Sequence, residues 1–180
     1  ERSRGERLKD YAYAKTPQKF KNASDLQVRF RTGFVYVTVS VLCILVNDWT
    51  TLALLCATAA LCAGEFYYML RADAKLPNEM LGIIAAALYP ISVYFLGLQG
   101  ALLVSLALLL ALLVWYVFWM RARIPDVGVS FFGAAYCGML LSSLVLVRQA
   151  LPHPWGGVLV LGIFFSVWAN DSFAYLVGSK

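Results

Sequence analysis

Residues 101–123, ALLVSLALLLALLVWYVFWMRAR, decide the fold. Twenty residues without a formal charge run from Ala101 to Met120, and Arg121 and Arg123 follow at once. At about 1.5 Å of rise per residue, a helix of that length covers about 30 Å, the thickness of a bilayer's hydrocarbon core. A soluble helix of the same length would show a polar face, whereas this one offers only Ser105. Trp115, Tyr116, Phe118 and Trp119 sit just before the arginines. That is the order of an aromatic belt followed by cations among lipid headgroups. The segment therefore spans a membrane.

The rest of the chain follows the same pattern. It is 180 residues long, 61% hydrophobic and 14% charged, against about 25% charged in ordinary soluble domains. Six apolar segments are expected as membrane helices, at residues 33–46, 51–70, 80–96, 101–120, 127–147 and 156–177. The first and third are short, which implies tilting or local thinning of the bilayer. Turn-forming residues separate them: Asn47-Asp48, Pro77-Asn78, Gly97 to Gly100, Pro125-Asp126 and Pro152-His153-Pro154. The expected fold is all-α and polytopic. A basic arm occupies residues 1–31 and a transmembrane helical domain residues 32–180.

Charge fixes the expected orientation. The arm holds nine basic and four acidic residues, an excess that equals the net charge of +5 of the whole chain. With six crossings, fourteen of the fifteen Lys and Arg residues fall on one side, and Arg148 stands alone on the other. Basic loops face the cytoplasm, so both ends of this chain are expected there. The arm is read as a leader that attracts anionic headgroups rather than as a nucleic-acid-binding segment, because a membrane segment follows directly. It is too long for the charged start of a cleaved signal peptide.

Several chemistries find no support. Cys43, Cys56, Cys62 and Cys137 lie in apolar runs without zinc-finger spacing, and the chain has a single histidine. No GxxxxGK phosphate loop occurs. His153, between two prolines, is expected as a solvated loop residue, and no Ser/His/Asp or Cys/His arrangement forms around it. Arg148 is expected as an anchor at the outer interface. Ala134, Gly138 and Ser142 repeat every four residues, a small-residue face suited to close helix packing.

Two acids lie within membrane segments, where a charge at mid-depth costs about 2.5–3.5 kcal/mol. Glu65 stands six residues before Arg71, near the headgroups, and is read mainly as a structural partner for a basic residue or a neighbouring helix. Asp171 is the sharper case. Phe164, Trp168, Asp171, Tyr175 and Gly178 share one face of the sixth helix, with Asn170 about 100° round it. A carboxylate, a phenol and a close-approach glycine on the cytosolic half suit magnesium and phosphate. On spacing alone, a polar clamp between helices serves equally well.

The closing stretch WANDSFAYLVGSK, residues 168–180, resembles the W-x-x-D-x-x-A-Y-x-x-G segment of the phosphatidate cytidylyltransferases. Trp168, Asp171, Ala174, Tyr175 and Gly178 match it position by position. DLQVRFRTGFVY, AGEFYYMLR and FFGAAYCGMLLSSLVLVR agree in kind with earlier parts of that family, so the resemblance covers about residues 25–180. It implies transfer of a cytidylyl group from CTP to phosphatidate, giving CDP-diacylglycerol and pyrophosphate, with Mg2+ as cofactor. Asp171 would be the catalytic metal ligand, and Asn170, Tyr175 and Gly178 would contact substrate. The family pattern continues beyond the glycine into Ser-Pro-Lys-Lys and Lys-Asp elements, which implies that residues 1–180 hold the amino-terminal part of the enzyme and are inactive alone. The implied partners are CTP, phosphatidate, the bilayer and optionally a second copy of the chain, with no nucleic acid. Short loops and compactness point to a bacterial plasma membrane, with the endoplasmic reticulum as the alternative, and the site is expected to face the cytoplasm. Two alternatives stand beside this reading. One is a CTP-dependent polyprenol or phytol kinase of the same superfamily, and the other is a transporter with Asp171 as its ion site.

Overall fold

The computed structural model describes residues 25–71, 77–119 and 122–178, with side chains described for 31–70, 77–119, 122–174 and 177–178. All regular structure among the described residues is helical. The helices are α1 (Asp25–Val46), α2 (Asp48–Arg71), α3 (Glu79–Leu96), α4 (Leu98–Phe118), α5 (Ile124–Ala150) and α6 (Trp155–Gly178). Five of them, α2 to α6, are long and apolar enough to cross a membrane, and α1 contributes a shorter apolar stretch, Arg31–Val46. The all-α polytopic fold expected from the sequence is the fold observed. Contacts divide the chain into two compact units, Glu1–Val41 and Leu42–Lys180. Residues 1–24 of the basic arm lie outside the described residues.

Local chemistry sets the helix ends. Asn47 alone separates α1 from α2; its Oδ1 accepts from the Asp48 N–H at 2.7 Å, and Thr50 Oγ1 donates to Cys43 O at 2.6 Å. These short polar side chains satisfy backbone groups that a helix terminus leaves open. Asn78 caps α3 by accepting from the Leu81 N–H at 3.2 Å. Gly97 ends α3 at φ +60°, a value that L side chains rarely adopt, and its N–H donates to Val93 O at 2.9 Å. Leu98 then starts α4 without a loop.

Between membrane helices, apolar area supplies no net drive, because lipid tails are as apolar as leucine; close packing and hydrogen bonds do the holding. The interior reflects this. α3 packs against α2, α4 and α5, and Tyr67 and Tyr89 are the largest fully buried side chains. The Tyr67 ring lies where a Cβ on Gly82 of α3 or Gly133 of α5 would fall. Its hydroxyl donates to Ser130 O at 2.5 Å. The Tyr89 and Ser105 hydroxyls share a hydrogen bond of 2.9 Å, which ties α3 to α4.

The small-residue face of α5 behaves as its spacing predicts. Ala134, Gly138 and Ser142 are all buried. A Cβ on Gly138 would stand 2.7 Å from Ala86 Cα and 2.8 Å from Ala86 O, so the two backbones touch there. Pro90, four residues after Ala86, has no N–H to offer that carbonyl. Within α5, residues Ala135–Met139 form one π-helical turn. The wider turn offsets the angular drift that a four-residue repeat accumulates on a helix of 3.6 residues per turn. The sequence pattern alone did not reveal it.

Candidate functional site

α6 carries the residues to which the sequence pointed. It packs mainly on α5. Val160 near its start is fully buried, and Phe164 packs against the main apolar core. Beyond Phe164 the helix emerges from its neighbours. Phe164 and Trp168, both half-buried, meet edge to face with ring centroids 5.7 Å apart. One turn on, Asp171 is exposed, and so is Asn170 beside it. Ser172 Oγ donates to Trp168 O at 2.8 Å, a bond within the helix that leaves the Asp171 carboxylate unhindered. Gly178 is the last helical residue, and a Cβ there would meet nothing within 4 Å. Tyr175 is helical in its backbone, but its side chain lies outside the described residues.

The structure thus brings Phe164, Trp168 and Asp171 onto one stripe and leaves Asn170 and Asp171 open together. Asp171 stands about 10 Å from the carboxy-terminal end of α6, counted at 1.5 Å per residue to Gly178. By the alternation of the helices, that end lies on the side where α2 finishes and α5 begins. An exposed carboxylate on a membrane helix requires a cation, water or polar ligand to offset its cost. Among the described residues, no group of three or more His, Cys, Asp or Glu side chains gathers to hold a metal. One carboxylate with a neighbouring amide does match what magnesium takes from proteins when substrate phosphates supply other ligands.

At the same end, a buried polar cluster holds three helices in register. Asp126, only 4% exposed, accepts from the Arg123 N–H at 3.0 Å and so caps α5. Ser130 Oγ donates to Asp126 O at 2.7 Å and accepts from the Asn78 N–H at 2.8 Å. Tyr67 joins from α2 through Ser130 O. The sequence sets Asp126 in a turn and only Glu65 and Asp171 within membrane helices; the structure places Asp48, Glu79 and Asp126 in the first turns of α2, α3 and α5, and of these Asp126 is the buried one. The missed signal was a proline at the second helical position followed by an acid at the third, a helix amino-terminal signature. Glu65 itself is exposed.

The opposite end brings a correction. Arg148, expected as an interface anchor, is 6% exposed, and its Nε donates to Asp48 Oδ1 at 2.8 Å. Burying a guanidinium requires a charged partner. Asp48 and Arg148 are the one acid and the one base that the expected topology sets on that side, a complement that would have predicted the pair. His153 is exposed, as expected for a loop residue.

The model of the cytidylyltransferase family matches residues 27–180, and the chain belongs to that family. It is a membrane protein of the class that uses CTP for nucleotidyl transfer. No curated protein and no solved structure gives a match.

Proposed function

We propose that the chain forms the amino-terminal part of a phosphatidate cytidylyltransferase, in which Asp171 binds Mg2+ at the cytoplasmic face of a plasma membrane. The observation that carries this reading is the exposed Asp171 on the emergent half of α6, inside the segment that resembles the motif of that family. In such a reaction a phosphate oxygen of phosphatidate attacks the α-phosphorus of CTP, and pyrophosphate leaves. Phosphoryl-type transfers depend on alignment and charge neutralisation rather than on a protein nucleophile. Magnesium, when bound by Asp171 together with the nucleotide's phosphates, would supply that neutralisation. Asn170 would accept or donate a hydrogen bond at the rim, Tyr175 would orient the ligand, and the bare Gly178 would let a phosphate approach the backbone. The lipid substrate would arrive from the bilayer along the open side of α6. The excess of basic residues at the same end supports a cytoplasmic location for the site.

The test uses the full-length enzyme with phosphatidate, Mg2+ and CTP labelled at either the α- or the γ-phosphorus. Label from the α position should enter the lipid; label from the γ position would instead identify a lipid kinase. Asp171→Asn should lower turnover by at least about a hundredfold, the scale of removing one charge-stabilising contact to a transition state. The folded protein should remain. Turnover within a few-fold of wild type would remove Asp171 from the site.

A further inference from the structure

The end of the bundle opposite to Asp171 holds a second arrangement of ligand-binding chemistry. A cavity of about 330 Å³ opens there, lined by Asp48, Arg148, Gln149, His153, Gly156 and Gly157 among others. Its size sits at the lower end of small-molecule pockets, about 300–1,000 Å³. Arg148 is the centre of it. Its side chain is 95% buried by exposure, Nε is engaged by Asp48 at 2.8 Å, and Nη2 has no hydrogen-bond partner among the described residues. A buried, charged N–H group without an acceptor is a rare and unfavourable state unless a ligand supplies one.

The helix beside it adds further donors. α6 starts at Trp155, and the first N–H groups of a helix have no partner within it. Trp155 N–H reaches Pro152 O at 2.9 Å and Val158 N–H reaches Pro154 O at 3.2 Å. The N–H groups of Gly156 and Gly157, both cavity-lining, find no acceptor among the described residues. Gly157 is also what lets the guanidinium lie there, since a Cβ would collide with Arg148 Nη1, while a Cβ on Gly156 would collide with the backbone carbonyl of Arg148. A helix amino terminus, with the positive end of its dipole, and an arginine whose Nη2 lacks an acceptor border one cavity. That combination selects an anion with several oxygens. Asp48 is the opposing feature. It lines the same cavity and is half-exposed, so it lowers affinity for any anion while holding Arg148 in place.

We propose that this cavity is a phosphate site, separate from the one at Asp171, occupied either by the phosphodiester of an anionic phospholipid in the facing leaflet or by free phosphate. It does not rest on the proposed reaction, and saturating CTP with Mg2+ should leave it unaffected.

The full-length protein is placed in nanodiscs of phosphatidylcholine containing a minor fraction of phosphatidylglycerol, and retained lipid is counted by native mass spectrometry. In parallel, the protein in pure phosphatidylcholine nanodiscs is titrated with inorganic phosphate against chloride at equal ionic strength, with thermal unfolding as the readout. Asp48→Asn keeps an oxygen for Arg148 Nε and removes the like charge. It should tighten binding about threefold, the factor for a unit charge about 6 Å away in a water-like dielectric. Arg148→Lys, which loses the fork, should weaken binding at least about tenfold. Phosphatidylglycerol retention that follows this pattern identifies the lipid; a phosphate-dependent shift that follows it, with no lipid response, identifies the free anion. If neither readout responds to Asp48→Asn in the stated direction, the phosphate site is refuted and the cluster is only a clamp between α2 and α5.

Discussion

Gly138→Ala tests how the membrane core is held. The added methyl would stand 2.7 Å from Ala86 Cα, 2.7 Å from Tyr89 Cδ2 and 2.8 Å from Ala86 O. Ordinary carbon contacts lie at about 3.5–4.0 Å, so α3 and α5 must separate by about 1 Å even if the Tyr89 ring turns aside. Two of the three neighbours are backbone atoms and cannot rotate away. Overpacking of this kind costs about 1–3 kcal/mol. The gain in helix propensity on replacing glycine, about 1 kcal/mol in water, is small here because a membrane segment stays helical even when its neighbours separate. Cys137, buried beside Gly138, provides the assay. Its reaction with a maleimide, in a background lacking the other three cysteines, reports opening of this seam. A destabilisation of about 1–3 kcal/mol raises the open population, and with it the labelling rate, by about 5- to 150-fold. Gly162→Ala, whose Cβ would meet nothing within 4 Å, should leave the rate unchanged. Equal rates in Gly138→Ala and wild type would refute the argument that backbone contact at Gly138 holds α5 against α3.

Tyr67→Phe removes the bond to Ser130 O and should cost about 1 kcal/mol, seen as a fall of about 2–4 °C in the unfolding midpoint in detergent. No fall would mean that the hydroxyl contributes nothing to the α2–α5 contact. Gly97→Ala should cost about 1–3 kcal/mol by strain alone, since its φ of +60° is unfavourable for alanine and no neighbour lies within 4 Å. The same unfolding scan reads it, and an unchanged midpoint would show that the turn between α3 and α4 readjusts freely.

The fold was legible because its determinants are local and one-dimensional. Twenty uncharged residues before Arg121 leave a membrane helix as the one economical structure, and Asn47, Asn78 and Gly97 announce their turns by chemistry that needs no partner. The small-residue face was legible for the same reason, since Ala134, Gly138 and Ser142 are a spacing. Arg148 is not legible because its partner lies far along the chain, whereas Asp126 belongs to a local helix-start signature, a proline and then an acid in the first turn, that also reads as a loop turn. Arg148 meets Asp48 across a hundred residues, and lone charges at a predicted interface look alike until paired. At the candidate site, the stripe through Phe164, Trp168 and Asp171 followed from helical periodicity. Its openness did not, because exposure depends on which neighbours α6 meets, and only its first half meets α5 closely.

The π-turn at Ala135–Met139 sets the phase of α5. Each residue added to or removed from a helix rotates everything beyond it by about 100°. Upstream, Ser130 is bonded to Tyr67 of α2 and to Asn78 at the start of α3; downstream, Arg148 must face Asp48. The extra residue accommodated in the turn lets one helix satisfy both ends at once. Deleting a single residue within the turn would restore a regular helix and leave Arg148 close to its present phase, whereas deleting one from a regular turn of α5 would swing Arg148 about 100° away from its carboxylate. The irregular turn is therefore where α5 can carry one residue more or less while its two ends keep their partners.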